Sequence, residues 1–145
     1  GAEYMSSTIN SYNLTHLYIE GKLRDSEDFV VPPNVTHLTF DVIDQYKFIK
    51  NIQSPKINKG TFEMINTHKK IKNIKNSKLT HLTYGFFFNE KLDEYVPKSV
   101  THLTLGDLYK HIIDENVFDN IMYLSLSHKY PFDKKYKNIF VSIRD

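Results

Sequence analysis

Four histidines recur at one place in a repeated motif: His16, His37, His81 and His102, each preceded by threonine and followed by leucine. Two residues on, each has a hydroxyl-bearing partner, giving His16/Tyr18, His37/Thr39, His81/Thr83 and His102/Thr104, with Lys59/Thr61 and Tyr123/Ser125 in two weaker copies. Residues two apart on a strand share a face, and neighbouring strands lie about 4.8 Å apart. Copies laid side by side therefore make a two-column strip, in which His16 pairs with His37 and His81 with His102. Adjacent imidazoles could ligate a transition metal, but no Asp, Glu or Cys in the same columns completes a shell, so neither a metal nor another cofactor is expected. A row of imidazoles titrating near pH 6.5 would repel itself once protonated and so sense pH. With Tyr and Thr, the same row would serve as amphipathic contacts for a partner protein. It would equally serve as a ladder stabilising the sheet itself, since repeats copy such residues whether or not they are used.

The elements that must hold this strip follow from the repeat. Strand-like copies begin at Leu14, Val35, Leu79, Val100 and Ile121, with a degraded copy, Ile57-Asn58-Lys59-Gly60-Thr61-Phe62, midway across the one doubled interval. The period is then 21 or 22 residues throughout, which is the signature of a solenoid. Apolar residues at the first, fourth and sixth positions give the L-x-x-L-x-L pattern of a leucine-rich repeat strand. The fourth and sixth point inward, so the third and fifth point outward. Seventeen residues after each start stands Val31, Ile52, Ile74, Val96 or Val117. Behind the strand, Leu23, Phe88, Tyr109 and Tyr130 form one apolar column, and Phe48, Leu92 and Ile113 a second. Prolines 32, 33, 55 and 97 precede strands and keep the incoming segment extended. Asp41, Gly85 and Gly106 start the turns that follow.

These patterns predict a right-handed, leucine-rich-repeat-like solenoid of about six turns. It has a parallel sheet of about seven short strands on the concave face, and mostly turns, extended segments or short 3₁₀ pieces on the convex side. Residues 1–13 read as a tag remnant (Gly1–Tyr4) and an N-terminal cap, 14–137 as the repeats starting at 14, 35, 57, 79, 100 and 121, and 138–145 as a capping strand. The third copy is the exception: Gly60 stands where the others bury leucine, which predicts a cavity, bulge or bend. Its back segment, Asn66 to Lys78, predicts a short helix carrying Ile71 and Ile74.

A chain of 145 residues with 40% hydrophobic residues is long and apolar enough for a real core. A net charge of +2 is too balanced to argue for nucleic acid or a membrane surface. The lysines around His68-Lys69-Lys70-Ile71-Lys72 read as a solvated loop. No cysteine is present, which fits a reducing, cytoplasmic compartment. No apolar run is long enough to span a bilayer. There is no Gly-rich phosphate loop, G-x-S-x-G, H-E-x-x-H or Cys nucleophile, so no enzyme is expected.

Val100-Thr101-His102-Leu103-Thr104-Leu105-Gly106, preceded by Val96-Pro97-Lys98-Ser99, resembles the IPxSVTHLxFG core of the FNIP repeat. Phe88-Asn89-Glu90-Lys91-Leu92 is similar to that family's FNxPI element, with Lys91 in place of proline. The resemblance runs from about residue 14 to 145, and the copy at 57 departs from it most. FNIP repeats are a branch of leucine-rich repeats known mostly from social amoebae and from giant viruses of amoebae. In the viral proteins they often follow an F-box, and none is read ahead of the first strand here. The resemblance implies a non-catalytic module binding a protein through the concave strip, in the host cytoplasm if the source is viral. The alternative is a structural repeat protein that forms a homo-oligomer through the ends or edges of its solenoid.

Overall fold

In the computed structural model, residues 13–24, 28–43, 45–50, 60–65, 67–72, 74–114, 119–131 and 136–145 are described, with 45–50, 60–65, 72 and 76 described by backbone alone. Ten strands follow in order: β1 His16–Gly21, β2 Phe29–Val30, β3 His37–Val42, β4 Gln45–Lys50, β5 Gly60–Ile65, β6 Ile71–Lys72, β7 His81–Tyr84, β8 His102–Thr104, β9 Tyr123–Ser127 and β10 Phe140–Arg144. Six of them form one parallel sheet in the order β1-β3-β7-β8-β9-β10. The molecule is a β-solenoid of about four turns, with short 3₁₀ turns at Thr67–Lys70, Ile74–Asn76 and Leu92–Glu94 and almost no other helix.

Alternation sorts the side chains as the period-two pattern requires. Leu38, Phe40, Leu82, Tyr84, Leu103, Leu105, Leu124 and Leu126 are buried, while the residues between them lie on the outward face. Val35, Leu79, Val100 and Ile121 close the core ahead of the strands. The back columns are buried as well, through Leu23, Phe88, Tyr109, Leu92 and Ile113. There the rings stack from turn to turn: Phe88 and Tyr109 have centroids 5.9 Å apart at 9°, and Tyr109 and Tyr130 are 6.2 Å apart at 22°. A buried phenol needs a partner, and three buried or half-buried ones find a carbonyl: the Tyr84, Tyr130 and Tyr136 hydroxyls donate to Tyr95, His111 and Ile113 oxygens, all at 2.6 Å. Full burial, and secondarily Tyr95, holds the Tyr84 pKa well above its usual value. Before two strands the proline carbonyl closes a turn, with Val35 N–H donating to Pro32 O at 3.2 Å and Val100 N–H to Pro97 O at 3.1 Å.

The doubled interval is not a seventh strand in the sheet. β3 pairs directly with β7, His37 opposite His81, and β4 and β5 lie in a sheet of their own. They pair antiparallel as a hairpin, with Tyr46 opposite Met64, Lys47 opposite Glu63 and Phe48 opposite Phe62. Residues 44–66 number 23, so removing them from the 44 between His37 and His81 leaves an ordinary 21-residue turn. The Thr67 hydroxyl donates to Ile43 O at 3.1 Å, which ties the exit of the excursion to its entry. The physical cause is in the residues: with Gly60 in place of the inward leucine, that copy lacks the central anchor that the other copies bury in the core. The helix expected over Asn66–Lys78 is instead two 3₁₀ turns flanking β6, which pairs parallel with β2 on the back, Phe29 opposite Ile71. Buried His68 takes the place of a back-column aromatic, its ring 5.1 Å from that of Phe88 and 5.9 Å from that of Phe40.

The final strand joins the sheet but does not cover its end: Phe140 is 65% and Ile143 58% exposed. The expected N-terminal cap, Ile52 and Val117 lie outside the described residues.

Gly106 shows how tightly the turns sit. A Cβ there would lie 2.5 Å from the Gly85 carbonyl oxygen and 2.9 Å from Phe86 Cα, both backbone atoms of the preceding turn. Gly106→Ala should therefore destabilise the fold by about 1–3 kcal/mol, as overpacking does. Urea unfolding monitored by circular dichroism reads this, and an unchanged midpoint would show that the turns can separate freely.

Candidate binding face

The parallel register superposes identical residues of successive turns. His16 faces His37, His37 faces His81, His81 faces His102, and His102 faces Tyr123, which faces Phe140. The rings follow with centroid separations of 4.1, 4.0, 4.0 and 4.4 Å and interplanar angles of 12–17° up to Tyr123. Phe140 lies 6.1 Å further on and tilted by 59°. The two separate histidine pairs expected from the sequence are thus one continuous stack of four, because the hairpin excursion removes the intervening strand. The rings stand closer than the roughly 4.8 Å between strands, so they lean onto one another.

Each histidine is fixed by the threonine before it. Thr15, Thr36, Thr80 and Thr101 place Oγ1 at 2.9, 2.9, 2.8 and 2.8 Å from the Nδ1 of His16, His37, His81 and His102. The same hydroxyl of Thr36, Thr80 and Thr101 donates at 3.2–3.3 Å to the carbonyl of the preceding turn's threonine. That carbonyl already accepts two backbone N–H groups, for example Thr80 and His81 onto Thr36 O at 2.9 and 3.0 Å. One hydroxyl proton serves two contacts. When it goes to Nδ1, the imidazole is neutral and carries its proton on Nε2. When it goes to the carbonyl, Nδ1–H donates to Oγ1, and only this arrangement admits a charged ring. Sequence reasoning named the histidines and missed this threonine column, although the signal was there. Where the histidine is replaced by Tyr123 or Phe140, the threonine is replaced too, by Met122 or Ile139.

Electrostatics disfavours charging the stack. Burial first, then the neighbouring His16 and His102, lowers the His37 pKa; burial, then His102, His37 and His16, lowers that of His81. Two unit charges 4 Å apart repel by about 1 kcal/mol even in bulk water, so protonating one ring hinders its neighbours.

The second column stands beside the rings in the same register: Tyr18, Thr39, Thr83, Thr104, Ser125 and then Ser142. Tyr18 is 55% exposed. A hydrogen bond to Glu20, then burial and the Glu20 and Asp41 charges, raise the pKa of its hydroxyl. His16, Tyr18, His37, Thr39, His81 and Thr83 line a shallow groove of about 400 Å³ floored by Leu17 and Leu38. Beyond the second column Asp41 accepts the Phe86 N–H at 3.3 Å, and at the far end Arg144 donates to Ser125 Oγ at 2.6 Å and to Leu105 O. Of the anticipated strip, Lys59 lies outside the described residues and Thr61 lies in the hairpin opposite Ile49, away from this face. The other anticipated residues form the face together. A larger depression of about 500 Å³ lies on the back, between Lys91–Asp93 and Tyr109–Asp114, and shares no residue with the strip.

Among the described residues no group of three or more His, Cys, Asp or Glu could hold a metal ion, and no helix is long and apolar enough to cross a membrane. Comparison with known proteins gives no matching family, no matching curated protein and no matching solved structure.

Two outcomes follow from the ladder. Thr80→Val keeps shape but strips the His81 Nδ1 of its partner, and should cost about 0.5–1.5 kcal/mol in urea unfolding; no loss would mean the hydroxyl bond is idle. The second concerns pH. An unfolded histidine titrates near 6.5, and folding lowers His37 and His81, so the unfolded chain binds more protons below that pH. Their contribution is fully present above about pH 6.5 and is lost progressively as pH falls below it. The melting temperature of the native chain should drop more steeply between pH 7.5 and 5.5 than that of a His37→Gln, His81→Gln double variant. Parallel slopes would remove the stack as the cause.

Proposed function

We propose that this chain is a non-catalytic recognition module that binds a partner protein through the outward face of its sheet. The observation that carries the reading is the exposed rim of the ladder. Tyr18 near one end and Met122 and Tyr123 toward the other are 55%, 54% and 45% exposed, large side chains left to solvent. Tyrosine and methionine are enriched at protein interfaces, where a large contact area comes at small entropic cost. Between these ends runs a flat strip of imidazoles and hydroxyls, which offers donors and acceptors without a fixed charge. The resemblance of the Thr-His-Leu turns to FNIP repeats supports the same reading, and with it an amoebal or amoeba-virus source and a cytoplasmic adaptor role.

The histidines hold one another and their threonines, so replacing them would confuse recognition with stability. The test leaves the stack intact and alters the second column instead. Tyr18→Ala with Thr39→Lys and Thr83→Glu, an opposite-charge pair across the strands, should abolish capture of a partner from amoebal lysate, while the melting temperature stays within a few degrees of native. Equal recovery of the same proteins by native and variant chains would sink the proposal.

A further inference from the structure

The sheet ends at β10, and the parity of its hydrogen bonds fixes what that edge offers. Phe140 N–H donates to Met122 O at 2.8 Å, and Arg144 O accepts His128 N–H at 2.8 Å. The even-numbered residues of β10 thus turn their backbone groups toward β9. Val141 and Ile143 turn theirs to the other side, where no strand follows among the described residues. Sheet edges are usually guarded by proline, a bulge or an outstretched charge. Here the only charged residue within β10 is Arg144, and its guanidinium is drawn back along the sheet to Ser125 and Leu105. What stands at the edge is apolar: Phe140 at 65% and Ile143 at 58% exposure, with half-buried Val141 between them.

We propose that this edge is a self-association site, at which β10 pairs antiparallel with β10 of a second copy about a two-fold axis through Ser142. Residues opposite each other then sum to a constant position, so all five residues of the strand are used. Val141 and Ile143 of one copy meet Ile143 and Val141 of the other as hydrogen-bonded pairs, which satisfies the outward-turned backbone groups of both. Ile143, which lies on the core side of the sheet, is covered by the partner's Val141, so each copy closes the open end of the other's core. Phe140 falls opposite the partner's Arg144, whose guanidinium has been taken away by Ser125 and Leu105. A shift by one residue would set outward-turned groups against none. Because opposed antiparallel residues share a face, the two sheets continue as one and present both outward faces on the same side. The pairing uses the edge of the sheet and does not depend on Tyr18, Met122 and Tyr123, the exposed side chains of the recognition face. A single strand is a small interface, so pairing belongs to the weak, concentration-dependent class.

The register makes the test positional. Ser142 faces its own copy across a non-hydrogen-bonded pair, where Cα atoms lie about 4.5 Å apart, and the chain has no cysteine to compete. Under mild oxidation at about 100 μM, Ser142→Cys should form a disulfide-linked dimer at least tenfold faster than Thr104→Cys, which stands two strands inside the sheet. Adding Ile143→Lys at the exposed edge should bring Ser142→Cys down to the rate of that control. Light scattering of the native chain should show mass rising with concentration, and less so for Ile143→Lys. The proposal is overturned if Ser142→Cys links no faster than Thr104→Cys, if Ile143→Lys leaves the rate unchanged, or if the native chain stays monomeric at millimolar concentration. A Ser142→Cys, Tyr18→Cys pair that links Ser142 to Tyr18 positions preferentially would also overturn it, in favour of head-to-tail stacking of β10 on β1.

Discussion

The stack rests on one backbone node, the carbonyl of the threonine that precedes four of the six sheet strands. Thr15, Thr36, Thr80 and Thr101 each receive two consecutive N–H groups from the next turn at 2.8–3.0 Å. That node sets the strand register. Because strand side chains have a period of two, a slip of one residue would send the leucines to solvent and the histidines to the core. Once the register is fixed, a repeat of 21 residues has no choice but to stack like on like, and the ring row, the hydroxyl row and the buried leucines all follow. The hydroxyl of the same threonine couples this node to the ladder: it touches the carbonyl below and the imidazole beside it. Four ring contacts at about 0.2–1 kcal/mol each add about 1–4 kcal/mol to a sheet whose main stabilisation is its buried apolar columns.

The sheet, its inward and outward faces and the apolar back columns were legible in the sequence because each depends on local periodicity. The tie between threonine and histidine was also written there, as joint replacement at Met122-Tyr123 and Ile139-Phe140, but a column of polar residues one position off the strip carries no hydrophobic signal to draw notice. The hairpin was not legible. A doubled interval with a degraded motif at its centre looks like a decayed repeat, since both contain a strand of the right length near the right place. What separates them is long-range: β3 finds a better partner in β7, which offers Leu82 and Tyr84 to the core, than in a segment whose inward position is Gly60. Thr67 then closes the gap at Ile43, a contact across 24 residues that no local pattern encodes.

The same node leaves the face free for the proposed recognition role beside its structural one. Stability is drawn from stacked ring faces and from Nδ1 atoms held by the threonines. What remains outward is the opposite side of each imidazole, with its Nε2, and the hydroxyls of the second column. A partner meeting this surface finds groups already held in place by the fold, so little side-chain entropy is lost on contact. Tyr18 differs in kind. It stands in the hydroxyl column at 55% exposure, anchored by Glu20 on its own strand, and is free to supply contact area that the threonines cannot.

The C-terminal turns change character in a correlated way. Thr-His becomes Met122-Tyr123 and then Ile139-Phe140, so the hydroxyl relay and the imidazole are lost together and the strip turns apolar over its last two strands. A histidine there without its threonine would leave Nδ1 unsupported, while Phe140 has no polar atom to satisfy and Tyr123 is exposed enough to leave its hydroxyl to solvent. The ladder therefore ends where its polar logic is replaced by surface that is stabilised only by being covered. On β9 that surface lies on the outward face, and on β10 it reaches the edge. One continuous row of rings thus joins two different demands, a polar strip satisfied within the chain and an exposed apolar end, and the proposed pairing of β10 answers the second.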